Sequence, residues 1–163
     1  MPPLVDLIVA DTGPLIALSR VVSLAMLPDI FGQVWLTKTV LAECTVRPDR
    51  PEGVVILAAV KEGWLQVRPD TPVTHDWGLD PGEASAIAAA LTTQARVLID
   101  DRAGRRVACE LGLHVIGVLG VLVRGKQLGK LDRIRPLVEQ LVKSGYFLSD
   151  KVIEAAFSIA GEV

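Results

Sequence analysis

Two short apolar runs in this 163-residue chain end in acids: Leu7 to Ala10 leads into Asp11, and Arg96 to Ile99 leads into Asp100 and Asp101. Each run has the length and character of a strand buried on both faces. In an open parallel sheet the carboxyl ends of the strands share one edge, where ligands bind, so Asp11 and Asp101 can meet there although they are distant in sequence. Glu43 and Glu83 fall on helical patterns that could flank the same edge. Four carboxylates in one cleft repel, since even two unit charges ~4 Å apart cost about 4 kcal/mol at an effective dielectric of 20. A divalent cation is the natural counter-charge. Oxygen donors without His or Cys select Mg²⁺ or Mn²⁺ over zinc. Such ions activate an attacking water and stabilise the leaving oxygen of a phosphodiester, so the chemistry implied is metal-dependent phosphodiester hydrolysis.

Each acid also has a purely structural reading. Asp11 could be a polar turn residue. Glu83 follows Asp80 at the spacing of a capping box and could simply close a helix N-terminus. Asp101 could cap the helix that begins at Arg102. Glu43 could be an ordinary solvated helical glutamate. Asp100 could be a partner of Asp101, a further ligand or a surface residue.

The elements that must position these residues alternate. After the Leu7–Ala10 strand, Thr12 suits a helix cap and Pro14 a first helical position, opening a helix over Pro14–Val22. Leu24–Phe31 reads as a short helix and Val34–Leu36 as a strand. Thr37 or Thr39 can cap the next helix, whose apolar face comprises Val40, Leu41, Cys44 and Val46, with Glu43 beside it. Pro51–Gly63 is helical and Trp64–Val67 a strand. Arg68–Gly78 is a surface loop whose His75, Asp76 and Trp77 could border the cleft. Asp80 caps, Pro81 opens and Ala84, Ile87, Ala88 and Leu91 pack the clearest helix in the chain. Arg96–Asp100 is a strand, the helix after it stops at Gly112, and His114–Ile116 is a further strand. Leu119–Gly129, Asp132–Gly145 and Ser149–Ala160 are three successive helical patterns. Strands alternating with helices predict an α/β chain with a parallel sheet and a helical C-terminus, in one domain spanning 1–163.

Composition narrows the class. Half of the chain is hydrophobic, which suits a sheet wrapped in helices and excludes disorder. A net charge of −2 gives no bulk attraction to nucleic acid or an anionic membrane, so any polyanion must meet a local patch. Arg102, Arg105 and Arg106 supply one such patch, either steering a phosphate or forming a solvated basic face. Arg124, Lys126, Lys130, Arg133 and Arg135 form a second group, with surface solvation the plainer explanation. The two cysteines, Cys44 and Cys109, lack zinc or disulfide spacing. The Met1–Asp6 leader is too short and lacks the basic region of a signal peptide, and the apolar run Val115–Val123 is about half a membrane span. A soluble protein of a reducing, cytoplasmic compartment is the expectation.

The order VADTGPLIAL, then a Glu in VLAEC, then LDPGEASAIAAA, then VLIDDRAGRRVACELGLHVIGVLGVL resembles the PIN-domain nucleases. It is most similar to their prokaryotic branch, which includes VapC-type toxins and short predicted nucleic-acid-binding proteins. The likeness runs from Asp6 to about Gly129. It places the family's metal-binding acids on Asp11, Glu43, Glu83 and Asp101, with Glu83 where the family often has Asp, and Asp100 where it often has a polar residue. Thr12 matches the small hydroxyl residue that follows the first acid. The resemblance implies a three-layer α/β/α sandwich around a five-stranded parallel sheet, Mg²⁺ or Mn²⁺ dependence, endoribonuclease activity on RNA and a homodimer. For toxin members it also implies a small antitoxin occluding the cleft. The competing reading is a PIN-like scaffold that binds RNA or a protein without cutting. Other Asp-bearing folds fit less well. The DTG triplet of aspartic proteases occurs in an all-β setting with a second copy. A receiver domain expects a downstream lysine, and a haloacid-dehalogenase-like phosphatase expects a second Asp two residues after the first.

Overall fold

The computed structural model describes residues 6–163, so all of the Met1–Asp6 leader except Asp6 lies outside the described residues. The chain runs β1 (Leu7–Ala10), α1 (Thr12–Val21), α2 (Met26–Phe31), β2 (Gln33–Thr37), α3 (Lys38–Thr45), α4 (Pro51–Glu62) and β3 (Leu65–Arg68). It continues through α5 (Pro81–Thr93), β4 (Arg96–Leu98), α6 (Arg102–Glu110), β5 (Val115–Ile116), α7 (Val118–Gln127), α8 (Arg135–Lys143) and α9 (Asp150–Ala160). The strands form one five-stranded sheet in the order β3-β2-β1-β4-β5, with every pairing parallel.

Period-two alternation divides the core into two layers. On one face Ile8, Ala10, Val34, Leu36 and Leu98 pack against α1, α2, α3, α4, α7 and α8. On the other, Val9, Val97 and Ile99 meet Ala86, Ile87 and Ala90 of α5 and Val107 and Ala108 of α6. The result is the three-layer α/β/α sandwich. Alanines along α5 let its backbone approach the sheet closely, and Ala86, Ile87 and Ala90 are fully buried.

The topology reverses at β1. From it the chain steps outward through β2 and β3, then crosses back to place β4 on the other side. Such a switch point opens a crevice outside the carboxyl ends of the two central strands. Asp11 N–H donates to Leu98 O at 2.9 Å, which locks the end of β1 to the end of β4.

Several local expectations change. Asp11, not Thr12, occupies the cap position of α1, and its side chain makes no capping bond. Thr37, not Thr39, caps α3, and Thr39 instead bonds Asp70. Val46 is 75% exposed and Leu91 lies at the surface, so neither belongs to its helix's packed face. β4 stops at Leu98, which leaves Ile99, Asp100 and Asp101 to turn into α6.

Candidate active site

A cavity of about 560 Å³ lies outside the ends of β1 and β4, and Asp11, Glu43, Asp80, Glu83, Asp100 and Asp101 all line it. Thr12 and Arg102 line the same space, with Tyr146 and Phe147 along its rim. The switch point thus brings together all four acids that the sequence singles out.

Asp11 is carried there by β1 and is only 6% exposed. Its cap position leaves the carboxylate uncommitted to the helix. Burial pushes its carboxyl up to about 7, opposed by the Thr12 N–H and reinforced by the charges of Asp80, Glu43 and Asp101. Glu83 sits on the first turn of α5, where Asp80 Oδ1 accepts from its N–H at 2.8 Å and its own Oε2 accepts from Asp80 N–H at 3.4 Å. The capping box is therefore present, but its return bond is long. Burial followed by the charges of Asp80, Asp101 and Asp11 pushes Glu83 up to about 7 as well. Glu83 is both a cap and a wall of the cavity.

Glu43 arrives on α3. Thr12 Oγ1 donates to its Oε2 at 2.5 Å. Opposite, Gly82 presents no side chain, and a Cβ there would collide with the Glu43 carboxylate. This close approach is the reason a glycine follows Pro81. The two helices are registered by a buried pair, Thr37 at the end of β2 and Ser85 in α5, 2.7 Å apart. Thr37 also accepts from Val40 N–H, and Ser85 donates to Gly82 O. Buried and mutually satisfied, these hydroxyls fix the spacing of the elements that carry Glu43 and Glu83.

Asp101 caps α6 by accepting from Gly104 N–H at 2.9 Å, so its structural reading also holds. Asp100 has a different task. Its Oδ2 accepts from Val118 N–H at 3.0 Å and from the Tyr146 hydroxyl at 2.5 Å, and Arg105 lies 3.8 Å from Oδ1. It ties the end of the sheet to α7 and to the loop before α9. Gly117 makes room for it, since a Cβ there would strike Asp100 Oδ1. Burial, with the adjacent Asp100 charge, raises the Tyr146 hydroxyl far above its ordinary range, so it stays a donor. Arg105 is partly spent on Ile99 O at 3.0 Å, whereas Arg102 is exposed and has no ion pair among the described residues.

Asp80, Gly82, Gly117 and Tyr146 are the site residues that the acid pattern misses. The Asp80–Glu83 spacing signals only a cap, and Tyr146 reaches Asp100 through tertiary packing alone. The loop holding His75 and Trp77 does not border this cleft. Those two residues line a separate cavity beside α5. Cys44, next to Glu43, is buried and its thiol is pushed up to about 12, so it is no nucleophile. Most of the second basic group is engaged elsewhere: Lys126 and Arg133 face Glu162, Arg135 bonds the Glu162 carbonyl, and Lys130 faces Asp29.

Residues 7–162 match the family DUF3368, described as a PIN domain. The chain belongs to the PIN-domain family. Among solved structures it is similar to a PilT N-terminus domain protein from the hyperthermophilic archaeon Sulfolobus solfataricus P2. That likeness has a TM-score of 0.56 at 18% identity and covers 78% of this chain and 95% of that one. At that identity the likeness shows the fold. No curated protein matches the chain. The fold is of nuclease type, in a family whose members typically use divalent metals.

Whether this PIN domain's residues suit such an ion can be judged from the donors. Six carboxylates, of which Asp11 and Glu83 carry carboxyls near 7, make a hard, oxygen-only donor set in need of positive charge. Yet among the described residues no three His, Cys, Asp or Glu side chains are arranged to hold a metal. Glu43, Glu83 and Asp101 are each turned to a hydrogen bond within the protein. The donor chemistry fits, and these side chains would exchange those bonds for the ion. No helix among the described residues is long and apolar enough to cross a membrane.

Proposed function

We propose that this PIN domain is a Mg²⁺- or Mn²⁺-dependent endoribonuclease. The observation that carries the reading is the single cavity in which Asp11 and Glu83, on different elements, are both pushed up to about 7 by burial and by neighbouring carboxylates. Asp11, Glu43, Glu83 and Asp101 would hold the ion, which when bound supplies the positive charge that activates water and stabilises a leaving oxygen. The protein's own groups do the rest. Thr12 and Gly82 keep the Glu43 carboxylate in place, and the Thr37–Ser85 pair holds α3 and α5 at their spacing. Arg102 meets an incoming phosphate. Glu83 is held at the cavity wall by the Asp80 N–H, on the first turn of α5.

On the sequence resemblance alone we extend the proposal to a cytoplasmic homodimer acting on RNA, with the toxin role of a toxin–antitoxin pair, its small partner blocking the cleft, as one form of it. A short reading frame beside its gene would support that role. One observation favours a second reading, a scaffold that binds without cutting: three of the four acids already have intramolecular partners. Cleavage of single-stranded RNA separates the two. The nuclease requires Mn²⁺ or Mg²⁺, is silenced by chelation and loses cleavage on Asp11→Asn with its circular dichroism intact. A scaffold shows no metal-dependent cleavage.

A further inference from the structure

A second groove, about 700 Å³, lies beside the acidic cavity. Asp100, Arg102 and Phe147 line both spaces, so the two adjoin. Its lining is largely apolar, through Val115, Ile116, Leu119, Leu148 and Val152, and the places of missing side chains at Gly117 and Gly120 are taken by Asp100 and Ile116. Phe147 is the unusual feature. It is 87% exposed, between Tyr146 and Leu148, which both turn inward against the core. The segment that carries it is held at both ends. Tyr146 bonds Asp100 through its hydroxyl and Leu141 O through its N–H, and Ser149 caps α9. A phenyl ring is thus presented to solvent at the junction of a carboxylate cavity and an apolar trough, on a fixed support.

Charge narrows what the trough takes. Arg102 stands at the junction without an ion pair among the described residues, and the Asp100 charge within the groove is offset by Arg105 and Tyr146. A flat apolar face beside an uncommitted guanidinium matches a nucleobase with its phosphate. A duplex would keep that base stacked and out of reach.

We propose that the groove is a nucleobase subsite for single-stranded RNA, in which Phe147 stacks on a base flanking the cleaved phosphate and Arg102 holds the adjoining phosphate. The proposal rests on the ribonuclease reading and names how its substrate is seated. Base–aromatic stacking contributes about 1–3 kcal/mol per base, equivalent to about 5- to 150-fold in affinity.

The test is anisotropy of a short fluorescein-labelled single-stranded RNA on the full chain, with Ca²⁺ in place of Mg²⁺, alongside cleavage in Mg²⁺. Phe147→Ala should weaken binding within that range, Phe147→Trp should restore it, and Phe147→Leu should not. Arg102→Gln should lower the salt dependence of binding by about one phosphate contact. Cleavage of a saturating substrate should fall less than binding does. Parent-like RNA affinity in Phe147→Ala, with metal-dependent cleavage intact in the parent, overturns the subsite and leaves the nuclease reading standing. Restoration by Leu as fully as by Trp also overturns it, because it would show a merely apolar contact such as a protein side chain makes. A parent that neither binds nor cleaves RNA overturns both.

Discussion

Asp11 is a buried residue and Glu162 a half-buried one whose side chain is largely covered, and the surroundings of the two carboxylates are opposite. Burial alone pushes both upward. At Glu162 it is overcome: the carboxylate accepts from Ile134 N–H at 2.8 Å, Arg135 N–H at 3.1 Å and Lys126 Nζ at 3.0 Å, and is pulled down to about 2. The Glu162 backbone carbonyl also accepts from the Arg135 guanidinium at 2.7 Å. The side-chain carboxylate of Glu162, just after α9, thereby satisfies the N-terminus of α8. At Asp11 the neighbours are Asp80, Glu43 and Asp101, and the carboxyl rises to about 7. One acid stabilises the fold as an anion. The other costs stability as an anion until a cation arrives.

The sharpest break between them is in pH dependence. Asp11 is raised, so between about 4 and 7 the folded state binds more protons than the unfolded chain, and metal-free stability should fall as pH rises through that window. At 1.36 kcal/mol per unit the fall is on the order of 4 kcal/mol. Urea midpoints from pH 4 to 7.5 check it, and Mn²⁺ should flatten the curve. Glu162 is lowered, so its contribution is present above about 4.5 and lost as pH falls toward 2. Asp11→Asn is next in size. Cleavage should drop at least about 100-fold, more than the loss of an outer-shell contact usually brings, while stability at pH 7 rises. A Glu162→Ala variant should do the reverse, losing about 2 kcal/mol of stability in denaturant titration while its cleavage rate stays at the parent value. Smallest is Tyr146→Phe, which removes one charge-assisted bond to Asp100, with a cost of about 1.5 kcal/mol and a looser loop measurable by hydrogen exchange at Phe147 and Leu148.

The same contrast explains what could be read in the chain. LIVAD and RVLIDD announce both their strands and their common edge, because a buried parallel strand is a continuous apolar run and its end is where polarity resumes. The Asp80–Glu83 spacing serves a cap and a site at once, so local pattern could not choose, and the structure retains both uses. Glu43 shows its helix but not its neighbour: the reason for Gly82 exists only once α3 and α5 are packed together. Glu162 and Tyr146 are silent in sequence, since their partners lie on α8 and at the end of β4 and no periodicity links them. For the same reason Lys126, Arg133 and Arg135 look like a free basic face until Glu162 is placed among them.

Calorimetric titration of Mn²⁺ into the metal-free protein near pH 6, in buffers of different ionisation enthalpy, tests the central claim most directly. If Asp11 and Glu83 share one cation-starved cavity, Mn²⁺ binds with release of protons, the release vanishes near pH 9, and Asp11→Asn abolishes the tight site. Absence of binding, or binding unchanged by pH and by Asp11→Asn, would contradict it.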